Sequence, residues 1–150
     1  MADKDRKRVL IICTGNSARS QMAEGLLRAL AGNRFDVFSA GTFATFVRPQ
    51  AITVMNELGI DISAHHSKSV NEFTNDDFDY VITVCDDANA RCPVFPGTVK
   101  RIHWSIDDPV IGGSEEGQLE AFRAARDELQ RRILTFVEEQ KGTAEKIGDA

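Results

Sequence analysis

Two short, uninterrupted apolar runs constrain the fold of this chain more than any other feature. VLIIC, residues 9 to 13, and YVITV, residues 80 to 84, show no alternation of apolar and polar side chains. A strand of that kind is covered on both faces, which is typical of a parallel sheet with helices packed against each side. The sequence therefore predicts an α/β fold.

Strands and helices are predicted to alternate along the chain. Strands are expected over 8–13, 35–40, 80–84 and 100–104, and helices over 21–30, 50–58, near 70–73 and over 119–137. Apolar residues at helical spacing indicate most of the helices, and Pro49 and Gly59 mark the two ends of the second. With right-handed crossovers the pattern gives one domain over 1–150, an open four-stranded parallel sheet with helices on both faces. Residues 141–150 are expected to form a flexible tail.

Composition and charge limit the classes of function. Lysine and arginine number 18 against 23 acidic residues, and the net charge of −5 argues against a nucleic-acid partner. No apolar run approaches the roughly 20 residues of a membrane span, and MADKDRKR lacks the apolar segment of a secretory signal. We therefore expect a cytoplasmic protein with no membrane partner. Its three cysteines are then catalytic, redox-active or simply buried, rather than paired in structural disulfides.

The stretch CTGNSARS, residues 13 to 20, follows the first apolar run and leads into a predicted helix. Small residues allow a tight turn whose backbone N–H groups converge, and a helix N-terminus adds its positive dipole end at the same place. The fixed charge of Arg19 suits a tetrahedral oxyanion, and this positive environment favours the thiolate of Cys13. The predicted oxyanion-binding residues are Thr14, Gly15, Asn16, Ser17, Ala18, Arg19 and Ser20. The alternative is a buried cysteine followed by an ordinary helical arginine.

Two motifs in order carry a resemblance to a known family. CTGNSARS resembles the CxxxxxR loop of the low molecular weight tyrosine phosphatases, and RIHWSIDDP resembles their later segment, in which an aspartate before proline is the general acid. The resemblance implies that Cys13 is the nucleophile, Arg19 the oxyanion clamp and Asp108 the acid. Asp107 remains the alternative acid, because spacing does not decide which carboxylate turns inward.

A third motif narrows the resemblance further. CDDANARC, residues 85 to 92, resembles the resolving-cysteine segment of the thioredoxin-coupled arsenate reductases, which share the phosphatase fold. That resemblance implies arsenate as substrate, phosphate and sulfate as competing oxyanions, thioredoxin as reductant and no cofactor. It also implies a relay in which Cys13 attacks arsenate, Cys85 attacks Cys13, and Cys92 attacks Cys85.

The spacing of Cys85 and Cys92 adds a geometric expectation. If residues 85–92 are helical, the two residues lie about 10 Å apart along the axis, at about 1.5 Å rise per residue. A disulfide needs α-carbons within roughly 7 Å of each other. The segment must therefore open before these two thiols can bond.

No metal site is expected, because His65, His66 and His103 lack ligand spacing. Some arsenate reductases bind potassium through an Asn, a Glu, a Ser and an Asp. Here Asn16, Glu24 and Ser39 match those positions, but Lys68 stands where the aspartate is expected. A fixed ammonium can supply the charge of the cation, so we expect no requirement for potassium.

Two other functions use the same residues. A phosphomonoester hydrolase needs only the nucleophile, the arginine and the acid, and a redox-sensing or anion-sensing module needs only the thiols. Enzymes specific for phosphotyrosine usually carry aromatic residues after the Asp-Pro pair, whereas Val110, Ile111 and Gly112 follow here. A sensor has no need of Arg19 or Asp108. The sequence therefore favours a reductase, expected to be a monomer.

Overall fold

The computed structural model describes residues 6–149, with side chains described for residues 6–140, and its strands and helices alternate as predicted. The strands are β1 (Lys7–Cys13), β2 (Phe35–Gly41), β3 (Tyr80–Thr83) and β4 (Lys100–His103). The helices are α1 (Arg19–Ala31), α2 (Pro49–Asn56), α3 (Asp86–Arg91) and α4 (Glu115–Asp149), with a 3-10 helix at Val70–Phe73. The tail predicted for 141–150 falls outside the described side chains.

The four strands form one parallel sheet in the order β2-β1-β3-β4, which confirms the predicted open sheet. In this register Val9 of β1 lies between Val37 of β2 and Tyr80 of β3. The chain runs from β1 outward to β2 and then returns past β1 to β3. The direction of winding therefore reverses between β1 and β3, and the carboxyl ends of such a strand pair are where open α/β sheets bind ligands.

The core covers both faces of the sheet. The four residues from Val9 to Ile12 have no solvent exposure, although successive side chains of a strand point to opposite faces. On one face Phe35 packs 5.5 Å, centroid to centroid, from Phe136 of α4. On the other face Phe38 packs 5.9 Å from Phe73 of the 3-10 helix. Covering of both faces explains why the strand sequences do not alternate.

Helix α4 is longer than the apolar pattern over 119–137 predicts. Its first turn is polar, and Ser114 Oγ accepts a hydrogen bond of 3.1 Å from the N–H of Gly117, which supports an earlier start. Polar ends carry no periodic apolar signal, so the sequence pattern reports only the segment that faces the core.

An ion cluster joins α4 to the residue that follows α2. Arg126, which is buried, donates to the carbonyl of Val54 at 2.8 Å and to the carboxylate of Glu57 at 2.7 Å. Hydrogen bonds first from Arg123 and then from Arg126 lower the pKa of Glu57 to about 2. At neutral pH the Glu57 carboxylate is therefore ionised and links the end of α2 to α4 through these arginines.

No helix in the described part of the chain is both long enough and apolar enough to cross a lipid bilayer.

Candidate active site

The predicted oxyanion loop connects the carboxyl end of β1 to the N-terminus of α1. Four carbonyl groups here are bonded to the segment that follows β2. The carbonyls of Cys13, Thr14, Gly15 and Ser17 accept from the N–H groups of Thr42, Phe43, Thr45 and Arg48 at 2.8 to 3.1 Å. Within residues 6–149 the N–H groups of Gly15 to Ala18 have no acceptor, and α1 begins without a side-chain cap. Such N–H groups at a helix N-terminus suit an anion, and oxyanion binding by this loop stays a prediction.

Asn16 holds the loop in shape. It has a φ of 48°, the left-handed conformation that asparagine tolerates better than most residues, and its side chain is fully buried. Its Nδ2 donates to Ser20 Oγ at 2.7 Å and to Ser39 Oγ at 3.0 Å. Its Oδ1 accepts from Gln21 Nε2 at 3.0 Å and from the N–H of Lys68 at 2.9 Å. The amide thus ties the loop to α1, β2 and the segment before the 3-10 helix.

Gly41, at the end of β2, is a residue whose role the sequence analysis missed. A Cβ atom at this position would lie 2.6 Å from the carbonyl oxygen of Thr14 and 2.8 Å from the nitrogen of Asn16. Only glycine therefore lets β2 approach the loop this closely.

Cys13 is buried at the bottom of the loop, with its Sγ 2.8 Å from Ser20 Oγ. Because Ser20 Oγ already accepts from Asn16 Nδ2, its own hydrogen is free to point at the sulfur. The Ser20 hydroxyl thus fixes the position of the sulfur beneath the loop. This contact supports Cys13 as the nucleophile.

Arg19 connects the loop to the segment that carries the predicted acid. Its Nη1 donates to the carbonyl oxygen of Ile106 at 2.9 Å. Asp107 and Asp108 follow directly, both are exposed, and Asp108 Oδ1 accepts from the N–H of Val110 at 3.0 Å. Both carboxylates line a cavity beside Arg19, so the choice of Asp108 as the acid stays a prediction.

That cavity, of about 500 Å³, joins the loop, the second cysteine and the acid segment. Its lining residues are Thr14, Arg19, Cys85, Asp86, Asp87, Ser105, Ile106, Asp107 and Asp108. A larger cavity, of about 600 Å³, lies between the acid segment and α4, but no cysteine lines it. The smaller cavity is therefore the one that can support thiol chemistry.

The second predicted thiol lies next to the first loop residue. Cys85, just beyond β3, is buried, and its Sγ is 3.3 Å from Thr14 Oγ1. Thr14 Oγ1 also lies 3.2 Å from a carboxylate oxygen of Asp87. The motifs alone did not indicate these contacts, although the adjacency of β1 and β3 in a parallel sheet could have suggested them.

The third thiol lies at the far end of α3. Cys85 immediately precedes this helix and Cys92 immediately follows it, and all three cysteines are free. Cys92 is half-buried, and burial raises the pKa of its thiol against the opposing charge of Arg101. The structure therefore places Cys13 beneath the loop and Cys85 in the wall of the cavity, and it separates Cys92 from Cys85 by a helix.

Lys68, which stands where an aspartate is expected, lies beside the buried carboxylate of Glu24. Glu24 Oε1 accepts from Ser39 Oγ at 2.5 Å and lies 4.0 Å from Lys68 Nζ, while its Oε2 lies 2.7 Å from Arg28 Nη2. Burial lowers the pKa of His65; the Glu24 charge opposes this shift, and those of Arg28 and Lys68 add to it. Two fixed cations thus surround the carboxylate.

Comparison with known proteins identifies the class. Residues 8–146 match the family model of the low molecular weight phosphotyrosine protein phosphatases. The chain belongs to this family, in agreement with its fold and with the resemblance of its motifs.

Within the family the chain is similar to proteins named arsenate reductases. One, from Halalkalibacterium halodurans, is 42% identical over 138 residues, covering 91% of this chain and 99% of the relative. The solved structure of an arsenate reductase in the oxidized state superposes with a TM-score of 0.77 at 34% identity, covering 89% of this chain and 98% of that one. A low molecular weight protein tyrosine phosphatase from T. tengcongensis gives 0.74 at 29% identity, covering 89% and 99%. The resemblance to arsenate reductases is thereby confirmed.

Proposed function

We propose that this protein is an arsenate reductase that uses Cys13, Cys85 and Cys92 in turn and takes its electrons from thioredoxin, in arsenic detoxification. The observation that carries the proposal is the arrangement of the three free thiols. Cys13 lies in an anion-binding loop, Cys85 is in contact with Thr14 of that loop, and Cys92 ends the helix that begins after Cys85. A hydrolase of this fold needs only the first thiol.

The first step is attack on bound arsenate. The free N–H groups of the loop and the Arg19 guanidinium bind the oxyanion, and the Cys13 thiolate attacks arsenic. One oxygen leaves as water when Asp108 supplies a proton. The product is a Cys13 adduct of arsenic(V), held where the buried Cys85 can approach it.

Electron transfer follows as thiol exchange. The Cys85 thiolate attacks Cys13 Sγ, the sulfur–arsenic bond breaks, and its electron pair reduces arsenic(V) to arsenic(III), which leaves as arsenite. A Cys13–Cys85 disulfide remains. Cys92 then attacks Cys85 Sγ and releases the Cys13 thiolate, leaving a Cys85–Cys92 disulfide for the thioredoxin dithiol to reduce.

A coupled assay tests the relay. NADPH consumption is followed with arsenate, thioredoxin and thioredoxin reductase for the wild type and for each Cys→Ser variant. Cys13→Ser is expected to lose all turnover, and Cys85→Ser to release no arsenite. Cys92→Ser is expected to release one equivalent of arsenite and then to stall as a Cys13–Cys85 disulfide, detectable by mass spectrometry. Full multiple turnover by Cys92→Ser would refute the relay.

A second candidate activity is hydrolysis of phosphomonoesters. It is favoured by the oxyanion loop and the acid segment, which both reactions would use. This reaction uses Cys13, Arg19 and Asp108 with water in place of Cys85. Hydrolysis of an aryl phosphate is therefore expected to survive in Cys85→Ser and Cys92→Ser and to vanish in Cys13→Ser. Phosphate hydrolysis without any arsenite release by the wild type would favour the phosphatase over the reductase.

The proposal also includes a cytoplasmic monomer. Thioredoxin acts in a reducing compartment, where three free thiols persist. Light scattering after size-exclusion chromatography tests the monomer, and cell fractionation tests the compartment.

A further inference from the structure

Helix α3, which separates Cys85 from Cys92, has little apolar support. It has six residues, and Ala88 is its only buried side chain. Isolated helices of this length are unstable in water, and the residue before it, Cys85, provides no side-chain cap. The closed helix therefore depends on polar contacts with the rest of the protein.

Two of these polar contacts meet at the first helical residue, Asp86, while Asp87 and Asn89 make one each. Asp86 Oδ1 lies 2.8 Å from Nε2 of His103, the last residue of β4, and accepts from Ser105 Oγ at 3.0 Å. On its other side the His103 ring places Nδ1 2.8 Å from Thr83 Oγ1, and this hydroxyl donates to Asn89 Oδ1 at 3.2 Å. We call Asp86, His103 and Ser105 the α3 latch. The two hydrogen bonds to Asp86, that from His103 first, hold the pKa of this carboxyl below its usual value.

We propose that the α3 latch holds the helix closed and thereby opposes formation of the Cys85–Cys92 disulfide. This inference rests on the proposed relay, which passes through that disulfide. A helical segment keeps the two α-carbons too far apart to bond, so oxidation must open α3 and separate Asp86 from its partners. The latch exists only in the closed reduced form, and it shifts the equilibrium toward the free thiols.

His103 and Ser105 are in this view positioning residues, because neither touches a reacting sulfur in the described contacts. Ser105 also precedes Ile106, whose carbonyl accepts from Arg19. The latch thus connects the helix between the resolving thiols to the segment that carries Asp107 and Asp108.

The equilibrium constant of the disulfide tests the proposal. In a Cys13→Ser background the protein is equilibrated with reduced and oxidised glutathione, and the bonded fraction is read by alkylation and mass spectrometry. The two thiols give two electrons and two protons to glutathione disulfide, which yields two glutathione thiols. Asp86→Ala and His103→Ala are each expected to raise the equilibrium constant by about threefold to tenfold, the range for exposed charged hydrogen bonds. The double variant is expected to raise the equilibrium constant by less than the product of the two single effects, because both single changes remove the Asp86–His103 contact.

Two matched variants separate the latch from a general structural effect. His103→Gln keeps an N–H donor near Asp86 and is expected to recover part of the wild-type equilibrium. His66→Ala removes an exposed imidazole outside the latch and is expected to leave the equilibrium constant within twofold. An equal effect in His66→Ala, or no recovery in His103→Gln, would overturn the proposal.

Amide hydrogen exchange of the reduced protein provides a second readout that needs no disulfide. Residues 86–91 are expected to exchange faster in Asp86→Ala and His103→Ala, with β1 unchanged. If no Cys85–Cys92 disulfide forms at any glutathione ratio, the relay is wrong, and exchange alone decides the latch: faster exchange supports it, and unchanged exchange overturns it. Latch variants that change neither the equilibrium nor the exchange also overturn it.

Discussion

Replacing Asn16 with alanine tests whether one buried amide holds the oxyanion loop in shape. The change removes four side-chain hydrogen bonds, to Ser20, Ser39, Gln21 and Lys68. Each contributes about 1 kcal/mol net, so their loss costs about 4 kcal/mol. Alanine at a φ of 48° adds roughly 1 kcal/mol of backbone strain. We expect the free energy of unfolding to fall by about 4 to 5 kcal/mol, a large share of the ~5–15 kcal/mol typical of a domain.

Urea denaturation followed by far-UV circular dichroism measures this loss, and two further variants divide it. Asn16→Gly keeps the left-handed φ without strain but loses the same hydrogen bonds, so it should be about 1 kcal/mol more stable than Asn16→Ala. Asn75→Ala, at an exposed asparagine, should change stability by less than about 0.5 kcal/mol. A loss below about 1.5 kcal/mol in Asn16→Ala, or wild-type stability in Asn16→Gly, would refute the assigned role.

Three further predictions concern charged side chains. Because the pKa of Glu57 is about 2 in the folded protein against an ordinary 4.5, its ion cluster stabilises the fold above about pH 4.5 and loses that contribution as the pH falls toward 2. The stability difference between wild type and Glu57→Gln in urea titrations should therefore be constant near neutral pH and shrink in acid; a difference independent of pH would contradict this. Asp108→Asn should slow arsenate turnover at saturating substrate by about a hundredfold or more and Asp107→Asn much less, and the opposite order would assign the acid to Asp107. Wild-type turnover should be equal in potassium and sodium buffers, because Lys68 supplies a cation beside Glu24; stimulation by potassium would show that the ammonium does not replace the ion.

The fold was predictable because its strongest signals are local. The runs at 9–13 and 80–84 report strands covered on both faces, and β1 and β3 lie there, side by side in the sheet. The loop from Cys13 to Arg19 was predictable for a related reason. Its small residues and its arginine are close together in sequence, directly between a predicted strand and a predicted helix.

Contacts between distant segments were not predictable in this way. The α3 latch joins Asp86 to His103 and Ser105. Gly41, at the end of β2, lies against the backbone of Thr14, which follows β1. Such contacts depend on the register of the sheet and on side-chain directions, which no local pattern encodes. Helix α3 also has no clear local signal, because its aspartates and asparagine favour turns as readily as a short helix.

The order of strands in the sheet has a consequence for how such a protein can change its chemistry over evolution. The nucleophile ends β1, whereas the second thiol follows β3, the neighbouring strand but a distant part of the sequence. If the proposed relay holds, hydrolysis and reduction share the oxyanion loop and differ in the segment from Cys85 to Cys92, which follows β3. Mutations in that segment alter the fate of the covalent intermediate while the loop residues and Arg19, which bind the anion, keep their sequence. One activity can thus be exchanged for the other while the residues of the binding loop stay the same.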